Sequence, residues 1–182
     1  MCIDCQCYLH WLERGDDLLD ENGGSRIFQL APAQVQISHG REHLRCMRLS
    51  PKGLMRWYAG CCNTPVGNTM TSAKTPFFGM LVAFMDFDGR TPDEVLGPVL
   101  VRAMARWGKG TLPADAHPSA PLWFILRSLR LFAGAWIRRA HAPSPVFDLS
   151  TGQPAVEPTV ISRDDRERLR AACAGSAGEE AA

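Results

Sequence analysis

The stretch Leu44-Arg45-Cys46-Met47-Arg48-Leu49-Ser50-Pro51-Lys52-Gly53-Leu54-Met55-Arg56-Trp57-Tyr58 decides the fold. Two arms, Leu44 to Leu49 and Leu54 to Tyr58, flank the tetrad Ser50-Pro51-Lys52-Gly53. Proline presets φ at the second position of a type I turn and glycine suits the fourth, so the tetrad predicts a β-hairpin. The second arm runs directly into Cys61-Cys62-Asn63-Thr64-Pro65. Upstream, Ile27-Phe28-Gln29-Leu30 reads as a strand that stops at Pro32. Val35 and Ile37 alternate with Gln34, Gln36 and Ser38, the period of a half-buried strand. Downstream, the apolar run Phe77 to Phe87 reads as a buried strand.

Outside this strand-rich centre the pattern is helical. Residues 5–13 place Cys5, Leu9 and Leu12 on one helical face, and Asp20-Glu21-Asn22-Gly23-Gly24 breaks it. Thr91-Pro92-Asp93-Glu94 combines an N-cap, a proline at the first helical position and a glutamate at the third, which predicts a helix start. Gly97-Pro98 interrupts it, and a second helix is predicted from Pro98 to Trp107. Residues 108–118 read as a loop. Leu122, Ile125, Leu126, Leu129, Phe132, Ala133, Trp136 and Ile137 form a continuous helical stripe with Arg127, Arg130 and Arg138 mostly opposite. Such a stripe must be covered by the β-domain or by another subunit. Residues 143–158 are extended and punctuated by proline, and Ser162 caps a last helix to about Cys173. The predicted class is α+β, with a β-domain over 1–88, a helical extension over 89–175 that packs on it, and a disordered tail over 176–182.

Composition narrows the partners. The chain has 182 residues, 46% hydrophobic and 21% charged, which is ordinary for a soluble globular protein. A formal net charge of +1 gives no whole-chain field to draw in nucleic acid or an anionic membrane. Pro121 to Ile137 is strongly apolar, but Arg127 and Arg130 sit in its middle, so a buried or interfacial helix is expected and no membrane span. The N-terminus shows no signal-peptide pattern, and the seven cysteines are an odd number. A reducing cytoplasm is expected, with the cysteines serving as metal ligands or buried thiols.

Cys2-Ile3-Asp4-Cys5 is a C-x2-C pair able to bite one zinc ion, and Cys61 and Cys62 at a strand end are the obvious partners. The spacing alone leaves zinc and buried thiols both open. Cys7 and His10 are nearby donors at i, i+3. Cys46 reads as a core thiol, Cys173 as inert, and the five histidines make no metal-ligand spacing with one another. Hydrolase, phosphate-loop and metalloprotease motifs are missing. Asp86-Phe87-Asp88-Gly89 reads as a turn before a helix rather than a calcium loop.

The order Met1-Cys2-Ile3-Asp4-Cys5-Gln6, a short helix, several strands, Arg56-Trp57-Tyr58 and then Cys62-Asn63-Thr64-Pro65 resembles the glutathione-dependent formaldehyde-activating (GFA) family, which includes centromere protein V. The likeness covers about residues 1–75, and the long tail looks like that of an uncharacterised bacterial branch. It implies a small antiparallel zinc-type, folded-over β-sheet followed by the helical extension. It also implies two Zn2+ sites, one near the glutathione site that keeps Cys2 and Cys5, and a structural one that keeps Cys62 with Cys61 as a poor replacement; Cys7 is near enough to the first to serve as an additional ligand. A carbon–sulfur lyase acting on a glutathione or other thiol adduct would follow. The chain departs from the motif: one cysteine would fall immediately before Met1, and Ala59 stands where another is expected. The zinc site is therefore expected to be incomplete. The alternatives are a non-catalytic zinc-binding or interaction protein, or a shortened gene product that begins after the missing ligands. Catalytic residues, substrate and oligomeric state are left open.

Overall fold

A computed structural model describes residues 1–175. In chain order these form helix α1 (Ile3–Trp11), the single turn α2 (Gly15–Leu18) and strands β1 (Ile27–Leu30), β2 (Leu44–Arg48), β3 (Met55–Ala59), β4 (Thr64–Thr69) and β5 (Phe78–Leu81). Helices α3 (Pro92–Leu96) and α4 (Leu122–Ile137), strand β6 (Thr159–Val160) and helix α5 (Arg163–Gly175) follow. The class is α+β. The six strands make one mixed sheet in the order β1-β5-β4-β3-β2-β6. Antiparallel pairing joins β2 to β3, β3 to β4 and β4 to β5, and β6 lies parallel to β2.

The hairpin forms where the turn chemistry puts it. The Gly53 N–H donates to the Ser50 carbonyl at 3.0 Å, and the register sets Cys46 opposite Trp57. Thr91 closes a capping box on Glu94: its hydroxyl accepts from the Glu94 N–H at 3.3 Å, and the Glu94 carboxylate accepts from the Thr91 N–H at 2.7 Å. Ser162 opens α5 by accepting from the Asp165 N–H at 3.0 Å.

The chain divides into two units, neither of them continuous. Of the described residues, one holds Met1–Ile27, Leu81–Ile125 and 162–175; the other holds Phe28–Met80 and Leu126–Ile161. In the second unit Leu44, Cys46, Met55, Trp57, Ala73, Phe78, Val146 and Phe147 form an apolar core, with Val35 and Ile37 against them. Trp57 is fully buried, meets Phe147 edge-on at 6.1 Å and donates its indole N–H to Thr69 Oγ1 at 2.9 Å. In the first unit, α1 buries Ile3, Gln6, Cys7, Tyr8 and Leu9 and packs on α5. Gln6 reaches from α1 to the Trp107 carbonyl at 2.8 Å. Asn22, buried, donates to the carbonyls of Lys109 at 2.8 Å and Thr111 at 3.1 Å, tying the 105–111 segment down.

Four expectations are corrected. Val35 and Ile37 keep the inward contact predicted for a strand but follow a 3-10 turn at Pro32–Gln34 and lie outside the sheet. Of Phe77 to Phe87 only Phe78–Leu81 is strand, since a 3-10 turn at Val82–Phe84 ends it. The helix predicted over 98–107 shrinks to one 3-10 turn at Ala105–Trp107, because Met104 at φ 63° is left-handed and breaks the helical path. The stripe on α4 forms at its predicted spacing, yet none of the helix is buried. The tail expected to be disordered, 176–182, lies outside the described residues.

Candidate functional site

The thiols of the first unit are organised by α1. Cys2 is its N-cap, in extended conformation at φ −87° and ψ 129°, and its carbonyl accepts from the Cys5 and Gln6 N–H groups at 2.9 and 3.1 Å. That turn brings the two side chains together. Cys2 and Cys5 are both half-buried, and they hydrogen-bond each other. The shared hydrogen bond, with burial and the charge of Cys5 behind it, pushes the Cys2 thiol far above its ordinary range. The positive end of the nine-residue helix favours an anion at this position.

One turn further on, Cys7 points away from this pair, into the interface with α5. Cys7 and Cys173 are both buried and hydrogen-bond each other. The contact raises the Cys7 thiol, with burial adding to it, and lowers that of Cys173, to which the charge of Lys109 also contributes. Cys7 is the donor. Asp4 and Arg170 form a 2.6 Å ion pair across the same helices. His10, the other nearby donor, stands over Gly15, where a Cβ would come within 2.4 Å of its ring.

Cys61 and Cys62 occupy the β3–β4 turn of the second unit, both exposed. Asn63 takes φ 53°, a left-handed position that asparagine tolerates better than most residues. Their sulfurs lie 3.6 Å apart, and Cys62 Sγ is 3.1 Å from Thr64 Oγ1. The hydrogen bond to Cys62 raises the Cys61 thiol. Cys46 is buried in the core, as expected, and burial pushes its thiol up to about 12.

The seven cysteines thus fall into two accessible pairs, one buried pair and one core thiol. Among the described residues no group of three or more His, Cys, Asp or Glu could hold a metal ion. The pairing of Cys7 with Cys173 escaped the sequence reading, because no spacing rule links residues so far apart. An open cleft of about 600 Å³ in the first unit is lined by Asp17, Asp20, Arg26, Asp86 and Arg90 among others, and contains none of the cysteines.

Comparison with known proteins places this constellation. Residues 1–158 match a family of unknown function (DUF6151), so the chain belongs to that family. No curated protein and no solved structure matches it. The family match corrects the likeness to GFA proteins. One family covers the first 75 residues and the chain beyond them to residue 158. The likeness rested on a C-x2-C and a Cys-x-Thr-Pro, motifs short enough to recur by chance.

Proposed function

For this member of the DUF6151 family, we propose a dithiol function: Cys2 and Cys5 exchange with a low-molecular-weight disulfide. The observation that carries it is the hydrogen-bonded, half-exposed pair across the first turn of α1. In this reading the Cys5 thiolate attacks one sulfur of R–S–S–R, and the leaving RS⁻ takes up a proton. Cys2 then gives its proton to solvent and attacks the Cys5 sulfur of the mixed disulfide, releasing the second thiol. In sum two protein thiols and one disulfide become one protein disulfide and two RSH, with two electrons passing to the substrate. The positive end of α1 favours the anionic stage. The carbon–sulfur lyase reading entered only through the corrected likeness and is not carried forward.

Oxidised glutathione is the probe, applied to the chain with Cys61→Ser and Cys62→Ser so that only the α1 pair is accessible. Mass spectrometry should show the loss of two hydrogens. Adding Cys2→Ser should trap a glutathione adduct on Cys5, and adding Cys5→Ser should abolish the fast reaction. Equal trapping by both variants, or a chain that stays fully reduced under excess oxidised glutathione, would sink the proposal.

Zinc is the second reading for the same pair, because a C-x2-C turn can close on a tetrahedral ion. Two donors do not complete that shell, so glutathione, another small thiol or water would have to fill it. Zinc binding would then protect Cys2 and Cys5 from alkylation in proportion to the metal added. Protection of Cys61 and Cys62 instead would move the ion to the β3–β4 turn.

A further inference from the structure

We propose that α4 is a docking face for an anionic phospholipid surface. The argument starts from where the stripe points. Leu126, Leu129, Ala133, Trp136 and Ile137 share one arc of the helix at i, i+3, i+7, i+10 and i+11. In the folded chain this arc faces solvent: Leu126 is 53% exposed, Leu129 56%, Trp136 63% and Ile137 77%. The helix turns the smaller Ser128, Gly134 and Ala135, together with Phe132, toward the protein, and Phe132 meets Phe77 edge-on at 5.9 Å. A helix that keeps two phenylalanines against the protein and still offers two leucines, a tryptophan and an isoleucine outward is built to meet something apolar.

Charge identifies the occupant. Arg130 flanks the arc and Arg127 and Arg138 lie further round the helix, all exposed, and Arg139 follows. Between residues 116 and 147 the chain has these four arginines and no acidic residue. The remaining residues carry 16 Lys and Arg against 19 Asp and Glu, a net of −3, so the whole-chain value of +1 conceals a segment of +4. Leucine, isoleucine and tryptophan on one arc with arginines beside it is the pattern of a helix lying in the headgroup region of a bilayer. There the arginines meet lipid phosphates while the apolar arc enters the acyl boundary. A second copy of the chain fits less well. An isologous contact through this face would set arginines near arginines with no carboxylate in the segment to receive them. The helix does not cross the bilayer, since no helix among the described residues is long and apolar enough.

The test is co-sedimentation of the full chain with sucrose-loaded vesicles of phosphatidylcholine alone, or of phosphatidylcholine with phosphatidylglycerol. Binding to the anionic vesicles should be at least about tenfold stronger, and should weaken as salt rises. Replacing Arg127, Arg130, Arg138 and Arg139 by glutamine should remove that preference. Leu129→Glu with Trp136→Glu should remove binding altogether, and both sets lie on the surface, where the fold tolerates them. Brominated lipid should quench wild-type fluorescence more than that of Trp136→Phe, which reports insertion independently of the charge variants. Equal binding to neutral vesicles, or none to either, overturns the proposal. So does a stable dimer in light scattering that the Leu129→Glu, Trp136→Glu chain no longer forms.

Discussion

Replacing Asn22 tests how the first unit is held. Its side-chain amide donates to two carbonyls, Lys109 at 2.8 Å and Thr111 at 3.1 Å, from a buried position. Asn22→Ala removes both bonds. At about 1 kcal/mol net for each the loss is about 2 kcal/mol, rising to about 4 kcal/mol if both carbonyls stay dry. Asn22→Asp keeps the shape and should cost more than alanine at neutral pH, because a carboxylate then faces two carbonyl oxygens. The sign with pH follows. The carboxyl introduced there has a folded pKa above its unfolded value of about 3.9, so it is better tolerated below that pH and penalised as pH rises. Its deficit against wild type should therefore shrink as pH falls through about 4. Urea unfolding followed by circular dichroism at neutral and acid pH measures all three chains. Asn22→Ala within about 0.5 kcal/mol of wild type, or an Asn22→Asp deficit that does not change with pH, would refute the reasoning.

Two further outcomes follow from the second unit. Burial raises the Cys46 thiol from 9.0 to about 12, so the folded chain holds a proton that the unfolded chain releases. That stability is complete below 9 and is lost as pH climbs toward 12. Cys46→Ala, though less stable at neutral pH, should lose less between about pH 8 and pH 10.5, as urea midpoints will show. Thr69→Val removes the 2.9 Å acceptor of the Trp57 indole and should cost about 1 kcal/mol. The loss should not add to that of Trp57→Phe, and strict additivity in a double-mutant cycle would deny the bond any share in stability.

The sequence was legible where the decisive chemistry is local. Ser50-Pro51-Lys52-Gly53 sets a turn within four residues, and Thr91 and Glu94 satisfy each other's backbone three residues apart. It was misread where the answer depends on surroundings. Periodicity on α4 establishes that Leu126, Leu129 and Trp136 share a face, but not that the face points outward. Val35 and Ile37 show the alternation of a strand because they touch a core, and touching a core does not supply a partner strand. Met104 takes a left-handed conformation that nothing in its residue type announces. For the site, the C-x2-C was visible and its turn formed. Cys7, read as a further ligand beside Cys2 and Cys5, meets Cys173 instead, a pairing that only the fold can make.

The ion pair of Asp4 with Arg170 joins residues 166 positions apart, and Cys7 meets Cys173 over the same span. Contacts of such separation are slow to form, because a long loop must close before they contribute. On a ribosome, α1 emerges early with Ile3, Tyr8 and Leu9 uncovered and waits for α5. The strands β2 to β4 lie within 26 residues, Leu44 to Thr69, and can pair long before that. The chain should therefore pass through a stage with its central strands paired and its first helix still exposed, when the helix is open to chaperones and proteases.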